Sequence, residues 1–231
     1  MAGDGFYYIG VGLYTVPEAS RLSGVSVGRS RRWLRGYTFT TKFGPHKSPP
    51  VVDSPFISPD PKVPVLTFLD LQETMFVDAF LTAGVRWKTL RLAHEKAQER
   101  LGPHPFSRGR FVTDGRVIFE DVAPRAADAV FVDIVSDQMA FRRIVLPYIV
   151  KLDFSPQGQA VRWWPLGKNR RIVVDPQRSF GQPVVAREGV PTLILAKAHR
   201  AERSFGHVAR WFDVSERAVR DAVDFESRLA A

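Results

Sequence analysis

The chain has 231 residues, of which 45% are hydrophobic and 25% charged, and it contains no cysteine. That balance belongs to a folded globular chain, long enough for one large domain or two to three small ones. It excludes a disulfide scaffold, a thiolate metal site, an iron–sulfur cluster and a cysteine nucleophile. No apolar run reaches the roughly 18 residues needed to span a bilayer. Residues 1–12 lack the basic start and apolar core of a signal peptide. A cytoplasmic protein with no membrane partner is expected.

The net charge is +9, and 25 of the 33 basic residues are arginine. Arginine suits phosphates and guanine edges because its planar fork donates paired hydrogen bonds. The charge is clustered. Residues 19–52 hold seven basic residues (Arg21, Arg29, Arg31, Arg32, Arg35, Lys42, Lys47) and no acid. Residues 86–116 hold eight basic and three acidic residues, and residues 162–171 add four basic residues without an acid. From residue 172 onward the balance is nine against eight. Clustered cations favour a phosphate surface, because neutralising several phosphates together releases counterions. The first two clusters are therefore the candidates for a phosphate-binding face that meets double-stranded DNA.

In chain order, residues 13–37 predict two short helices. Pro17 suits a first helical turn, Gly24 ends the first helix, and Ser26 caps a second that carries Arg29, Arg31, Arg32 and Arg35. Helix, glycine turn and basic helix is the helix-turn-helix pattern. An ordinary helical hairpin with a solvated basic face is the plainer alternative. Residues 45–64 hold seven prolines, which predict a linker or extended loop. Residues 68–106 predict two helices broken at Gly84. The second interleaves Trp87, Leu90, His94 and Ala97 with Arg86, Lys88, Arg91 and Lys96. In RFVTDGRVIFE, Asp114–Gly115 between alternating runs predicts a hairpin, a wing with Arg110 and Arg116 on either side of its turn. Residues 130–135, 144–154 and 161–166 read as strands, with Trp163 and Trp164 assigned to core. Three helices follow near residues 192–200, 205–212 and 215–229.

The five histidines show no metal-ligand spacing, so no metal or cofactor is expected. Asp128, Asp133 and Asp137 leave a nuclease site open as a rival, although Asp128 and Asp133 are placed at a strand with no fourth ligand near. Neither a phosphate-cradling glycine loop nor a defensible Ser/His/Asp arrangement is present.

Three pieces carry a family resemblance. LYTVPEASRLSGVSVGRSRRWLRGY resembles the MerR-like helix-turn-helix. FLDLQETMFVDAFLTAGVRWKTLRLAHEKAQERLGPHPF, with RFVTDGRVIF as its wing, resembles the family that recurs in VapB-type antitoxins. Residues 172–225, IVVDPQRSFGQPVV onward, resemble a small helical antitoxin-like domain long catalogued only as a domain of unknown function. The resemblance implies the antitoxin of a type II toxin–antitoxin module, with no catalytic activity of its own. Such a protein neutralises a PIN-type ribonuclease toxin and represses its own operon. The implied DNA contacts are Gly28, Arg29 and Arg32 in the first unit, and Arg86, Trp87, Lys88, Thr89 and Arg91 in the second. Arg31, Arg35, Lys42, Arg110 and Arg116 join them from the basic helices and wing. Ser30 departs from the pattern, because an apolar residue usually locks the second helix there.

The expected fold is mainly α with small β elements. It comprises a MerR-like helix-turn-helix (1–44), a Pro-rich linker (45–64) and a second, winged helix-turn-helix (65–122). A β-rich connector (123–171) and a C-terminal three-helix, helix-turn-helix-like domain (172–231) complete it. A homodimer or higher is expected, since such proteins pair half-sites about one helical turn apart. The last domain is assigned to partner contact through Trp211, Phe212 and Phe225. Its final helix bears Glu216, Asp221, Asp224 and Glu226, which phosphates would repel. A stand-alone helix-turn-helix regulator without a toxin is the alternative.

Overall fold

The computed structural model describes residues 10–51 and 65–230. Residues 52–64 of the proline-rich stretch lie outside them. The architecture is mainly α with small β elements, as expected. It divides into two compact units, one of Tyr14–Val150 with Phe154–Ala160, the other containing Lys151–Asp153 and Val161–Ala231.

The first unit opens with β1 (Leu13–Thr15), which leads directly into α1 (Val16–Ser23). Thr15 and Glu18 form a reciprocal capping box, with Pro17 in the first turn. Gly24, at φ 77°, ends α1 in the left-handed conformation that glycine adopts without penalty. Ser26 caps α2 (Val27–Arg35), and Val16, Ala19, Leu22, Val25 and Trp33 close the core between the two helices. A hairpin follows at once, β2 (Tyr37–Thr41) and β3 (Gly44–Ser48), in register from Tyr37↔Ser48 to Thr41↔Gly44. Pro45 is tolerated because a two-stranded ribbon has only edge strands. β4 (Val65–Thr67) pairs with β1 and feeds α3 (Phe68–Thr82). α3 is buried around its whole circumference over most of its length, so it is the unit's central helix.

α4 (Trp87–Leu101) is followed by α5 (Phe111–Glu120). The predicted wing at Asp114–Gly115 is thus a helix. Phe111, Gly115, Ile118 and Phe119 recur at helical spacing and are all buried. A Cβ on Gly115 would lie 2.6 Å from the Phe111 ring, so this glycine serves close packing rather than a turn. After α6 (Ala123–Ala126), the segments read as strands at 130–135 and 144–149 are also helical, within α7 (Ala129–Ser136) and α8 (Gln138–Ile149). Phe131, Ile134 and Val135 face inward at i, i+3, i+4, and Asp128 and Asp137 cap the two longer helices. These helices surround an aromatic core in which Phe80, Phe106, Phe111, Phe119, Phe131 and Phe141 are fully buried. The centroids of Phe106 and Phe111 lie 4.6 Å apart.

Beneath that core lies a buried polar layer. Glu73 accepts from Ser107 N at 2.9 Å and meets His94 Nε2 at 2.9 Å. Asp70 meets His104 Nε2 at 2.8 Å and accepts from Thr67 N. Each carboxylate thus has partners that offset its desolvation.

The second unit holds a four-stranded sheet in sequential order: β5 (Leu152–Phe154), β6 (Ala160–Trp163), β7 (Ile172–Val174) and β8 (Pro183–Val185). β7 and β8 are buried throughout. Trp163 is core, and Trp164 is half-buried, donating from Nε1 to Asp153 at 2.8 Å. α9 (Thr192–Glu202), α10 (Phe205–Trp211) and α11 (Glu216–Ala230) follow as the expected three helices.

Candidate nucleic-acid interface

Nine residues make α2, and none is acidic. Ser30 and Trp33 turn inward, leaving Gly28, Arg29, Arg31, Arg32 and Arg35 exposed. The Arg29 guanidinium pairs with Asp78 on α3. Arg31 and Arg32 have no carboxylate partner among the described residues. The Arg32 guanidinium instead sits 5.8 Å from the Tyr37 ring centroid, a cation–π geometry.

The wing sits after α2, at Tyr37–Ser48, rather than at Asp114–Gly115. Lys42 and Phe43 form its tip, exposed, with the ammonium 5.0 Å from the Phe43 ring centroid. Lys47 and His46 are exposed on its second strand. Gly36 links helix to wing at φ 67°, and a Cβ there would lie 2.0 Å from Ser48 O. Only glycine fits that crossing. The signal for this wing was the alternation of Tyr37, Thr38, Phe39, Thr40 and Thr41 before Gly44. The proline run beginning at Pro45 masked it.

The indole of Trp33 stacks on Trp87, with centroids 6.0 Å apart and planes at 12°. Arg29, Arg32, Trp33, Tyr37, Leu81 and Trp87 line a cleft of about 280 Å³ at the base of α2.

The residues assigned to a second reading helix are used differently. Arg86 donates from its backbone N to Asp128 Oδ2 at 2.8 Å and from its guanidinium to Ala127 O at 3.2 Å. Burial alone would raise the pKa of Asp128. Hydrogen bonds from Arg86 N, Thr89 and Phe131 N, with the Arg86 charge, outweigh it and hold the carboxyl below its ordinary value. Asp128 is therefore a structural cap, engaged on both oxygens. Thr89 is only 2% exposed, so it is a core residue rather than a DNA contact. Arg91 donates to Ser48 Oγ at 3.0 Å and to Pro49 O, tying α4 to the end of the wing. Lys88 is exposed. Arg110 and Arg116 lie on the α5 segment, paired within one turn to Asp114 and Glu120. In the other unit, Trp211 is 70% exposed, with the half-buried Phe212 6.0 Å away. Phe225 is 2% exposed and belongs to the core, where no partner reaches it.

A capped helix, a glycine turn, a basic second helix and a hairpin wing define a DNA-binding helix-turn-helix protein. A family described as "Putative DNA-binding HTH domain" matches residues 12–94. The "Putative antitoxin VapB45" of Mycobacterium tuberculosis (strain ATCC 25618 / H37Rv) is 30% identical over 228 residues, covering 93% of each chain. The chain belongs to that family of VapB-type antitoxins. The crystal structure of Rv2018 from Mycobacterium tuberculosis shares the fold, with a TM-score of 0.68 at 24% identity, covering 94% of this chain and 99% of that one. No described helix is long and apolar enough to cross a membrane.

Proposed function

We propose that the protein is a non-enzymatic antitoxin that neutralises a PIN-type ribonuclease and represses its own operon by binding operator DNA. The observation that carries the reading is α2. It exposes Arg31 and Arg32 without carboxylate partners among the described residues, and a wing bearing Lys42 and Lys47 follows directly. In this reading Gly28, Arg31, Arg32 and Arg35 approach the major groove, while Lys42 contacts phosphate. Arg29 must first leave Asp78. Lys88 adds a flanking phosphate contact. Arg86 and Arg91 act as positioning residues. The exposed Trp211 and its neighbour Phe212 are the proposed toxin contact, since a large exposed aromatic anchors interfaces.

The test is fluorescence anisotropy with a duplex from upstream of the protein's own gene, beside copurification with the neighbouring gene product. Arg31→Ala with Arg32→Ala should weaken binding to this duplex more than to a scrambled one, by about 1–3 kcal/mol for each arginine that reads a base edge. Equal weakening on both would remove α2 from sequence reading. Absence of a copurifying nuclease would favour a regulator without a toxin.

A further inference from the structure

The four acids of α11 are engaged within their own unit. Asp221 faces Arg170 at 2.9 Å, and Asp224 pairs with Arg170 at 2.7 Å and with Arg228 at 3.0 Å. Glu226 accepts from Thr192 Oγ1, and Glu216 lies 3.5 Å from Arg220. The repulsion that the sequence suggests between this helix and phosphates is therefore reduced, since Asp221 and Asp224 have guanidinium groups beside them and Glu216 lies near Arg220.

The surface left over is basic. Arg200 and Arg203 at the end of α9, Arg210 on α10 and Arg217 on α11 are all exposed. None has a carboxylate partner among the described residues. Arg171 donates to Ser215 Oγ at 3.1 Å, adding a guanidinium beside the start of α11. Against these stand three exposed acids, Glu202, Asp213 and Glu216, the last 3.5 Å from Arg220.

The same elements have reading geometry. α10 and α11 are joined by a short turn in which Asp213 adopts φ 51° and Ser215 accepts from Ala218 N at 3.2 Å. Val208, Ala209, Val214, Ala218, Val219 and Phe225 lock the pair from within. Arg220 sits 4.1 Å over the Phe205 ring and joins the helices at the surface. A short helix, a tight turn and a longer helix that exposes Arg217 in its first turn is the arrangement that enters a major groove.

We propose that α10 and α11 form a second duplex-DNA-binding surface, with Arg171, Arg210 and Arg217 on phosphates. It rests on the reading that the chain engages duplex DNA. Helix-turn-helix geometry, together with guanidinium as the dominant exposed charge, favours a duplex over an acidic protein partner.

The experiment uses the full chain and a labelled duplex of about three helical turns from upstream of its gene. Affinity is measured between about 50 and 200 mM salt. The triple variant Arg171→Ala, Arg210→Ala, Arg217→Ala should make the log–log salt slope shallower by about 2–3 and lower affinity more than about tenfold at the low-salt end. Arg217→Ala alone, which touches no cap, should change the slope by about 1, and thermal melting should match the parent for both. An unchanged slope and affinity would overturn the proposal, while weaker binding by Arg31→Ala with Arg32→Ala would leave the α2 reading standing. Failure of toxin copurification with DNA binding intact would also overturn it, in favour of an acidic protein partner. No binding by the parent chain would overturn both readings.

Discussion

Trp33 on α2 stacks face to face on Trp87 at the start of α4, 6.0 Å between centroids. Trp33 is buried, while Trp87 is half-buried at the edge of the basic cleft. The contact fixes the basic helix against the larger helical core, and Arg91 does the same for the wing. Trp87→Ala removes the stack and opens the cleft. We expect a stability decrease of about 1–3 kcal/mol, from reduced burial and about 0.5–1.5 kcal/mol of ring pairing. Affinity for duplex DNA should fall as well, because α2 loses its support. Chemical denaturation and anisotropy on the same sample check this. Unaltered DNA affinity in a destabilised protein would show that α2 is held well enough by α1 alone.

Arg29 and Asp78 form a pair in which the arginine is half-exposed. Exposed pairs contribute about 0–1 kcal/mol, so Asp78→Asn should cost little stability. It frees a guanidinium on the proposed reading helix and removes a negative charge beside it. DNA affinity should rise for all sequences, and the salt slope should steepen by about 1. A weaker complex would instead mean that Asp78 orients Arg29 productively.

Ser30 is fully buried between α1 and α2, and its hydroxyl has no hydrogen-bond partner. An unsatisfied buried hydroxyl costs about 1–3 kcal/mol. Ser30→Ala keeps the space and removes the orphan. Stability should rise by about 1 kcal/mol, seen as a higher Tm by about 2–4 °C. A fall in Tm would mean that the hydroxyl is satisfied in solution.

His104 meets the buried Asp70 at 2.8 Å. Burial by itself lowers the imidazole pKa, but the hydrogen bond and charge of Asp70, with the charge of Glu73, raise it above its ordinary value. A group whose pKa is higher folded than unfolded contributes stability that is complete below the unfolded value of about 6.5 and is lost as pH rises through the folded one. Thermal melts from mildly acidic to alkaline pH should therefore show a stability component that is present at the acidic end and fades as pH rises past the raised folded value. His104→Gln should flatten that component. A parent and variant with parallel pH profiles would rule out His104 as its source.

The local features of the first motif were written in adjacent residues. Thr15 with Glu18, Pro17, Gly24 and Ser26 form caps and turns through contacts three or four positions apart, so the sequence alone determined α1 and α2 and the basic face between them. The three C-terminal helices were legible for the same reason. Residues 110–149 were not, because a short apolar run fits a strand or a buried helix equally well. There the aromatic core decided. Phe111, Phe119, Phe131 and Phe141 fill one space only if the chain coils, and that packing outweighs the turn preference of Asp114–Gly115. Charge followed the same division. Counting residues located the basic clusters, but which cations remain unpaired depends on Arg29 meeting Asp78 across 49 positions and Arg170 meeting Asp224 across 54. Pairs so distant in sequence are set by the packing of whole helices, and that packing turned Asp221 of α11 inward against Arg170 while leaving Arg31, Arg32 and Arg217 exposed.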